Sequence, residues 1–297
     1  MVLLHLKYPG HISSNNIKIR EDNQGVISSM ENNKHSGEYL LAVDIGNTHT
    51  VIGLFQDDYL LRDWRIHTDR EATSDELAMS LDQLCRLAGI ELRDVSDIVI
   101  SCVVPPLIHS WEELSLHYVK KKALVVQENI PAGMPILYKH PYEVGADRLV
   151  NSLAAYSRYK DAVIIVDYGT ATTFDCVSSK GKYLGGSIAP GLLLATEALF
   201  KGTSRLPRVE FFTGPETAMG QDTASAIRAG IIYGFAGLTD GIISRLLTEF
   251  AQRPRVVATG GLASIIVPYC SLVETVLPNL ILEGLLIVYK RFKAAGS

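Results

Sequence analysis

From residue 39 onward, apolar and polar positions alternate in short regular blocks. The runs YLLAVD and TVIGLF read as β-strands, QDD as a turn, and YLLRDWRIHT as a third strand, an antiparallel meander. A helix is predicted from Ser74 to Ala88, since Leu77, Leu81, Leu84 and Ala88 share one face, Ser74 can cap the start and Gly89 supplies the stop. The strand DIVISCVV follows, then a helix near 106–119 opened by two prolines, then the short strand ALVV. The order is βββαβαβ.

The second half repeats it. After a helix near 146–159, AVIIVD and TTFDCV flank a polar tip, and KGK turns the chain into a third strand near 182–188. Helices are expected near 191–200 and 223–250, then the strand RVVAT, a helix opened by Gly260 and Gly261, a short strand at LVETV and a final helix near 279–293. Asp44-Ile-Gly46-Asn-Thr48 and Asp167-Tyr-Gly169-Thr-Ala are the same device, placed 123 residues apart. The pattern predicts an internally duplicated α/β chain of two mixed-sheet halves, residues 39–144 and 145–297. Residues 1–38, rich in Ser, Asn and charge beyond the first ten, read as a flexible extension.

Composition narrows the function classes. A net charge of -4 over 297 residues gives no general field for nucleic acid or an anionic membrane, so neither is expected as a partner, and any anionic ligand must be held by local donors. The most apolar stretch, 229–247, contains Asp240 and Arg245, which argues against a membrane span, and the N-terminal apolar run is too short for a signal peptide. Cys85, Cys102, Cys176 and Cys270 lie far apart without a companion histidine at ligand spacing, as reduced thiols of a cytoplasmic protein would.

Against that background the two acid-x-glycine tips stand out. Glycine lets the backbone approach an anion, and the N–H groups of Gly46, Asn47, Thr48 and His49 can donate to phosphate oxygens without a basic side chain. A carboxylate beside a phosphate chain is repelled unless a cation lies between them, so Asp44 and Asp167 imply metal ions or bound water. One D-x-G at a strand end is most often only a turn. Two matched tips, with the ATGGLA turn at 258–263 beyond them, favour a nucleotide cleft in which Gly260 and Gly261 seat the adenosine.

A third cluster lies at 140–156, HPYEVGADRLVNSLAAY. Asp147 and Arg148 fall in the first turn of a helix whose apolar positions are Leu149, Leu153 and Tyr156. An aspartate there is commonly a cap. The adjacent arginine gains nothing from the dipole at that end, whereas an acid that takes a proton from a hydroxyl and a guanidinium that pairs with an anionic ligand explain both.

The set D-I-G-N-T-H-T, G-A-D-R-L-V-N, D-Y-G-T-A-T-T, G-G-S-I-A-P-G-L and A-T-G-G-L-A, in this order, resembles the bacterial type III pantothenate kinases over residues 39–294. These belong to the actin, heat-shock chaperone and sugar kinase superfamily. The resemblance implies a duplicated ribonuclease H-like fold with an ATP cleft between its halves, and phosphorylation of pantothenate to 4'-phosphopantothenate in coenzyme A biosynthesis. It places Asp44, Ile45, Gly46, Asn47, Thr48, His49, Thr50 and Val51 in the first phosphate loop, and Thr170 against ATP. Asp147 becomes the proton acceptor, with Tyr138, Gly145, Ala146, Asp147, Arg148 and Thr223 as pantothenate contacts. Asp167 matches a monovalent-cation ligand, potassium or ammonium, and Asp44 is a candidate for the magnesium that accompanies ATP. A homodimer is implied, with pantothenate close to the subunit interface.

Two other readings compete. A non-catalytic or regulatory nucleotide-binding protein of the same fold would be marked by a degraded G-A-D-R or D-x-G-T motif, and both are intact. A kinase of the superfamily acting on a sugar or another acid would carry its base in a different motif context.

Overall fold

A computed structural model describes residues 38–126, 134–204, 206–211 and 214–296. The N-terminal extension expected at 1–38 falls outside these but for Glu38. In the first half the meander is β1 (Tyr39–Ile45), β2 (His49–Gln56) and β3 (Tyr59–His67), followed by α1 (Ser74–Leu87), β4 (Val95–Cys102), α2 (Pro105–Leu114) and β5 (Leu124–Val125). The second half runs α3 (Ala146–Tyr159), β6 (Val163–Tyr168), β7 (Ala171–Val177), β8 (Tyr183–Pro190), α4 (Leu192–Lys201), α5 (Thr223–Leu247), β9 (Arg255–Thr259), α6 (Ala263–Ile266), β10 (Thr275–Val276) and α7 (Leu280–Gly296).

The two sheets have the same topology. The first is ordered β3-β2-β1-β4-β5 and the second, read in the matching direction, β8-β7-β6-β9-β10. In each, the meander is antiparallel and the last two strands join it in parallel. Asp44 and Asp167 each stand one residue before the end of the central strand of their sheet, and the two meander tips meet across one cleft. The expected α/β fold of two duplicated mixed-sheet halves is what forms.

Helices α3 and α7 pack on one another between the sheets. There Leu149, Leu153 and Leu285 share a core with Phe55 and Val99 of the first sheet and Ile165 and Val257 of the second. On the outer faces, α1 and α2 cover the first sheet through Leu81, Leu107 and Trp111, while Ile232, Phe235 and Ile243 of α5 cover the second. Helix α5 is long and apolar enough to cross a membrane by length and composition alone. Its buried face is built into the core of the second sheet.

Several boundaries differ from expectation for local reasons. Thr73, not Ser74, caps α1: its hydroxyl accepts the Glu76 N–H while the Glu76 carboxylate accepts the N–H of Thr73, a reciprocal capping box. The helix predicted to reach 119 ends at Leu114. It loosens into a π turn over Ser115–Val119 that closes on Lys120 in the left-handed region. Helix α5 stops at Leu247, and the LVETV strand contracts to two residues.

Candidate active site

The two tips meet. Thr48 Oγ and Thr170 Oγ stand 3.0 Å apart, so the loops after β1 and β6 touch across the cleft. The tips are not identical, because the first loop spans 46–49 between the paired residues Ile45 and Thr50, and the second spans 169–171 between Tyr168 and Thr172. The Gly46 N–H donates to the His49 carbonyl at 3.0 Å, so it is committed to the turn, and the four-donor cradle read from the sequence loses one member. Thr50 is buried, bonded to the Thr68 hydroxyl at 2.9 Å, and Asn47 Oδ1 accepts from Arg70 at 2.9 Å. Both lie in the loop's supporting structure. His49 is exposed, opposite His67 on β3.

The G-A-D-R turn presents Asp147 at the start of α3. Gly145 is the N-cap residue, with no side-chain cap, so Asp147 is not the cap that spacing alone permits. The Asp147 carboxylate folds back over the turn and accepts the Arg148 N–H at 2.8 Å. A methyl group on residue 145 would overlap Asp147 Oδ1, which is why glycine stands there.

Arg148 departs from its expected role as a free anion receptor. Its Nε and one terminal nitrogen donate to Oδ1 of Asp175, at 2.8 and 2.7 Å, in a pair that is almost fully buried. The Tyr183 hydroxyl donates to that oxygen at 2.8 Å, and Thr173 to the other carboxylate oxygen at 3.2 Å. Tyr138 stacks obliquely on Tyr183, with ring centroids 6.3 Å apart, so Tyr138, Tyr183, Arg148 and Asp147 form one wall. One turn along α3, buried Asn151 donates to Asp167 Oδ2 at 3.0 Å, and its own Oδ1 has no hydrogen-bond partner. Gly260, at φ +91°, passes so close that a side chain would overlap Asp167 Oδ1.

Asp147 lies near enough to Asp44 and Asp167 for its charge to act on both, and the charge of Asp167 acts on Asp44. Burial, then the charges of Asp147 and Asp167, push the Asp44 carboxyl up to about 8 against the neighbouring Ser101 and Arg65. Burial and the charges of Asp147 and Asp175 raise Asp167 to about 7, opposed by the Asn151 hydrogen bond and Arg65. Asp147 is raised chiefly by burial, with the Arg148 N–H and guanidinium working against it. The arginine therefore moderates the basicity of Asp147 without overcoming burial. Three crowded carboxylates are a cation-seeking arrangement, although among the described residues no three His, Cys, Asp or Glu side chains are grouped to hold a metal by themselves.

The family model for type III pantothenate kinases matches residues 40–245. The chain belongs to the type III pantothenate kinase family. It is 48% identical over 254 residues to the type III pantothenate kinase of Syntrophobacter fumaroxidans, covering 86% of this chain and 98% of that one. The type III pantothenate kinase of Geobacter sulfurreducens is 49% identical over 252 residues, covering 85% and 98%. The fold alone is shared with component A of the (R)-2-hydroxyglutaryl-CoA dehydratase of Acidaminococcus fermentans, at 16% identity, a TM-score of 0.52 and coverage of 87% and 99%.

Within this kinase, Thr223 does not join the cluster around Asp147. It is exposed at the first turn of α5, behind the Asp222 cap, in an open groove of about 640 Å³ lined by Leu199, Gln221 and Ile227. Sequence reasoning missed Asp175, Asn151, Tyr183 and Arg65. An aspartate inside the apolar strand TTFDCV was a legible signal, since an acid on a buried strand needs a partner. The basic side chain whose charge acts on Asp167 is Arg65, from the other half of the chain.

Proposed function

We propose that this pantothenate kinase transfers the γ-phosphoryl group of ATP to the primary hydroxyl of pantothenate, giving 4'-phosphopantothenate and ADP at the first step of coenzyme A biosynthesis. The observation that carries the assignment of roles is Asp147, a carboxylate on the first turn of α3 beside Asp44 and Asp167, whose pKa burial raises above the ordinary carboxylate value. A base is most effective when its pKa lies near working pH. Asp147 accepts the hydroxyl proton as the hydroxyl oxygen bonds to the γ-phosphorus and the bond to the ADP oxygen breaks. Phosphoryl transfer asks mainly for positioning and charge compensation, and the two tips and the wall of Tyr138, Tyr183 and Arg148 supply the positioning.

ATP lies along the tips, from Asp44 to Val51 and at Thr170, with its adenosine towards Gly260 and Gly261. Pantothenate contacts Tyr138, Gly145, Ala146 and Arg148, whose guanidinium is held in place by Asp175. The crowded carboxylates fit cations. Asp44 would hold magnesium together with the phosphates, as that ion usually binds through one or two carboxylates plus phosphate and water. Asp167, beside the unpartnered Asn151 Oδ1, would hold potassium or ammonium. Bound cations supply charge neutralisation along the phosphate chain. The protein works as a cytoplasmic homodimer.

The deciding assay incubates purified protein with ATP, magnesium, potassium and pantothenate and follows phosphopantothenate by mass spectrometry. Formation of one ADP per phosphopantothenate is expected. ATP turnover without it, or with a sugar as the preferred acceptor, overturns the reading.

A further inference from the structure

The basic side chains around the cleft are mostly spoken for. Arg148 is paired with Asp175, and Arg70 is bonded to Asn47. Arg65 differs. It stands in the same register row as Asp44, both opposite Val51 on the intervening strand, so the two side chains leave one face of the first sheet. From there it reaches the other half: its Nη1 lies where a methyl group on Gly261 would be. Among the described residues no carboxylate comes within ion-pair distance of it, and the side chain is exposed. An uncommitted guanidinium therefore spans from the first sheet to the glycine turn of the second, over a cleft crowded with Asp44, Asp147 and Asp167.

We propose that Arg65 binds the phosphate chain of the nucleotide, docking it from the first sheet against the Gly260–Gly261 turn. The inference rests on reading the cleft as an ATP site. Its chemistry is that of a planar fork: a guanidinium makes two parallel N–H···O bonds to a phosphate, which an ammonium cannot reproduce. Its place in the cleft answers a charge problem, because a polyanion entering between three carboxylates needs a fixed cation as well as mobile ones. A side chain at residue 261 would displace the guanidinium from this position. A purely structural reading makes Arg65 a strap that fills the space above the glycine and acts on stability alone.

The two readings separate on ligands that differ only in phosphate. Arg65→Gln, Arg65→Lys and the wild-type chain are titrated calorimetrically, with magnesium present, with a non-hydrolysable ATP analogue and with adenosine. Loss of a hydrogen-bonded charge predicts that Arg65→Gln binds the analogue about 10- to 100-fold more weakly, with Arg65→Lys between the two. Adenosine affinity should change by less than about twofold and melting temperature should hold. Equal losses for analogue and adenosine make Arg65 a strap and overturn the proposal, as does unchanged affinity for the analogue. Should the wild-type chain neither bind the analogue nor phosphorylate pantothenate, the ATP reading itself falls and takes the proposal with it. A wild type that does both while Arg65→Gln binds equally well removes only the role of Arg65.

Discussion

The hydroxyl of Thr48 lies 3.0 Å from the hydroxyl of Thr170, joining two loops that are 122 residues apart in the chain. Both side chains are accessible to water, so the contact is worth little as a fastener; its position at the phosphate loops gives it meaning. Thr170→Val keeps the shape and removes the hydroxyl. The expected result is a rise in the KM for ATP of about 3- to 10-fold, the worth of one hydrogen bond, with melting temperature within a degree or two. Steady-state kinetics against a thermal scan distinguishes this from a structural role, which would reverse the two effects.

Asp147→Asn tests the proton acceptor. Removing a positioned base should lower kcat by about 10²- to 10⁴-fold, roughly 3 to 5.5 kcal/mol of transition-state stabilisation. Gly145 already occupies the cap position, and the variant removes a buried charge, so the melting temperature should hold or rise. A turnover within about threefold of wild type would sink the assignment.

The carboxylates make stability depend on pH in an unusual direction. Asp44 and Asp167 have folded-state values raised to about 8 and about 7, above the unfolded value of about 4. The folded protein then holds more protons than the unfolded one between those limits, so stability falls as pH rises from about 4 to 8. With chelator present and no added potassium, Asp44→Asn should gain in melting temperature over wild type, and the gain should widen from pH 5 to pH 8. A gain that is the same at both would mean that Asp44 titrates normally.

Asp167→Asn should abolish potassium activation and raise the KM for ATP more than that for pantothenate. Initial rates of wild type and variant in matched potassium and sodium buffers provide the check. Equal wild-type rates in the two salts would remove the cation role from Asp167.

The dimer has its own test. Gly230, Gly234 and Gly237 on α5 look into open space, with nothing near a would-be side chain, and Tyr233 between them is exposed. A second copy packed there would be excluded by Gly234→Leu. Light scattering should give twice the chain mass for wild type at micromolar concentration and the single mass for the variant, while a monomeric wild type refutes the assembly.

The sheet architecture was legible because each strand carries its own period and each turn its own breaker: β6, β7 and β9 begin and end within a residue or so of their apolar runs. Asp44, Asp147 and Asp167 were legible as well, being acids beside glycines at element ends. The pairings of these residues were not, even where an acid on a buried strand such as Asp175 called for a partner, since Arg65, Asn151, Asp175 and Tyr183 meet the site through sheet register and helix docking, which no local spacing encodes. Asp175 pairs with a residue 27 positions earlier and Arg65 acts across the cleft. Arg148 shows the cost of that blindness: its charge was read as free for a ligand, and its nearest carboxylate proved to be internal.

Helix α7 is the final element, yet it lies against β1 and β4 of the first sheet, where Tyr289 donates to Asp97 at 2.7 Å. The inner face of the first sheet, with Phe55 and Val99, therefore has no complete cover while the ribosome is still making the rest of the chain. The amino-terminal half must wait, partly bare, for a helix translated about 240 residues after its first strand, so the first sheet cannot complete its packing from its own residues alone.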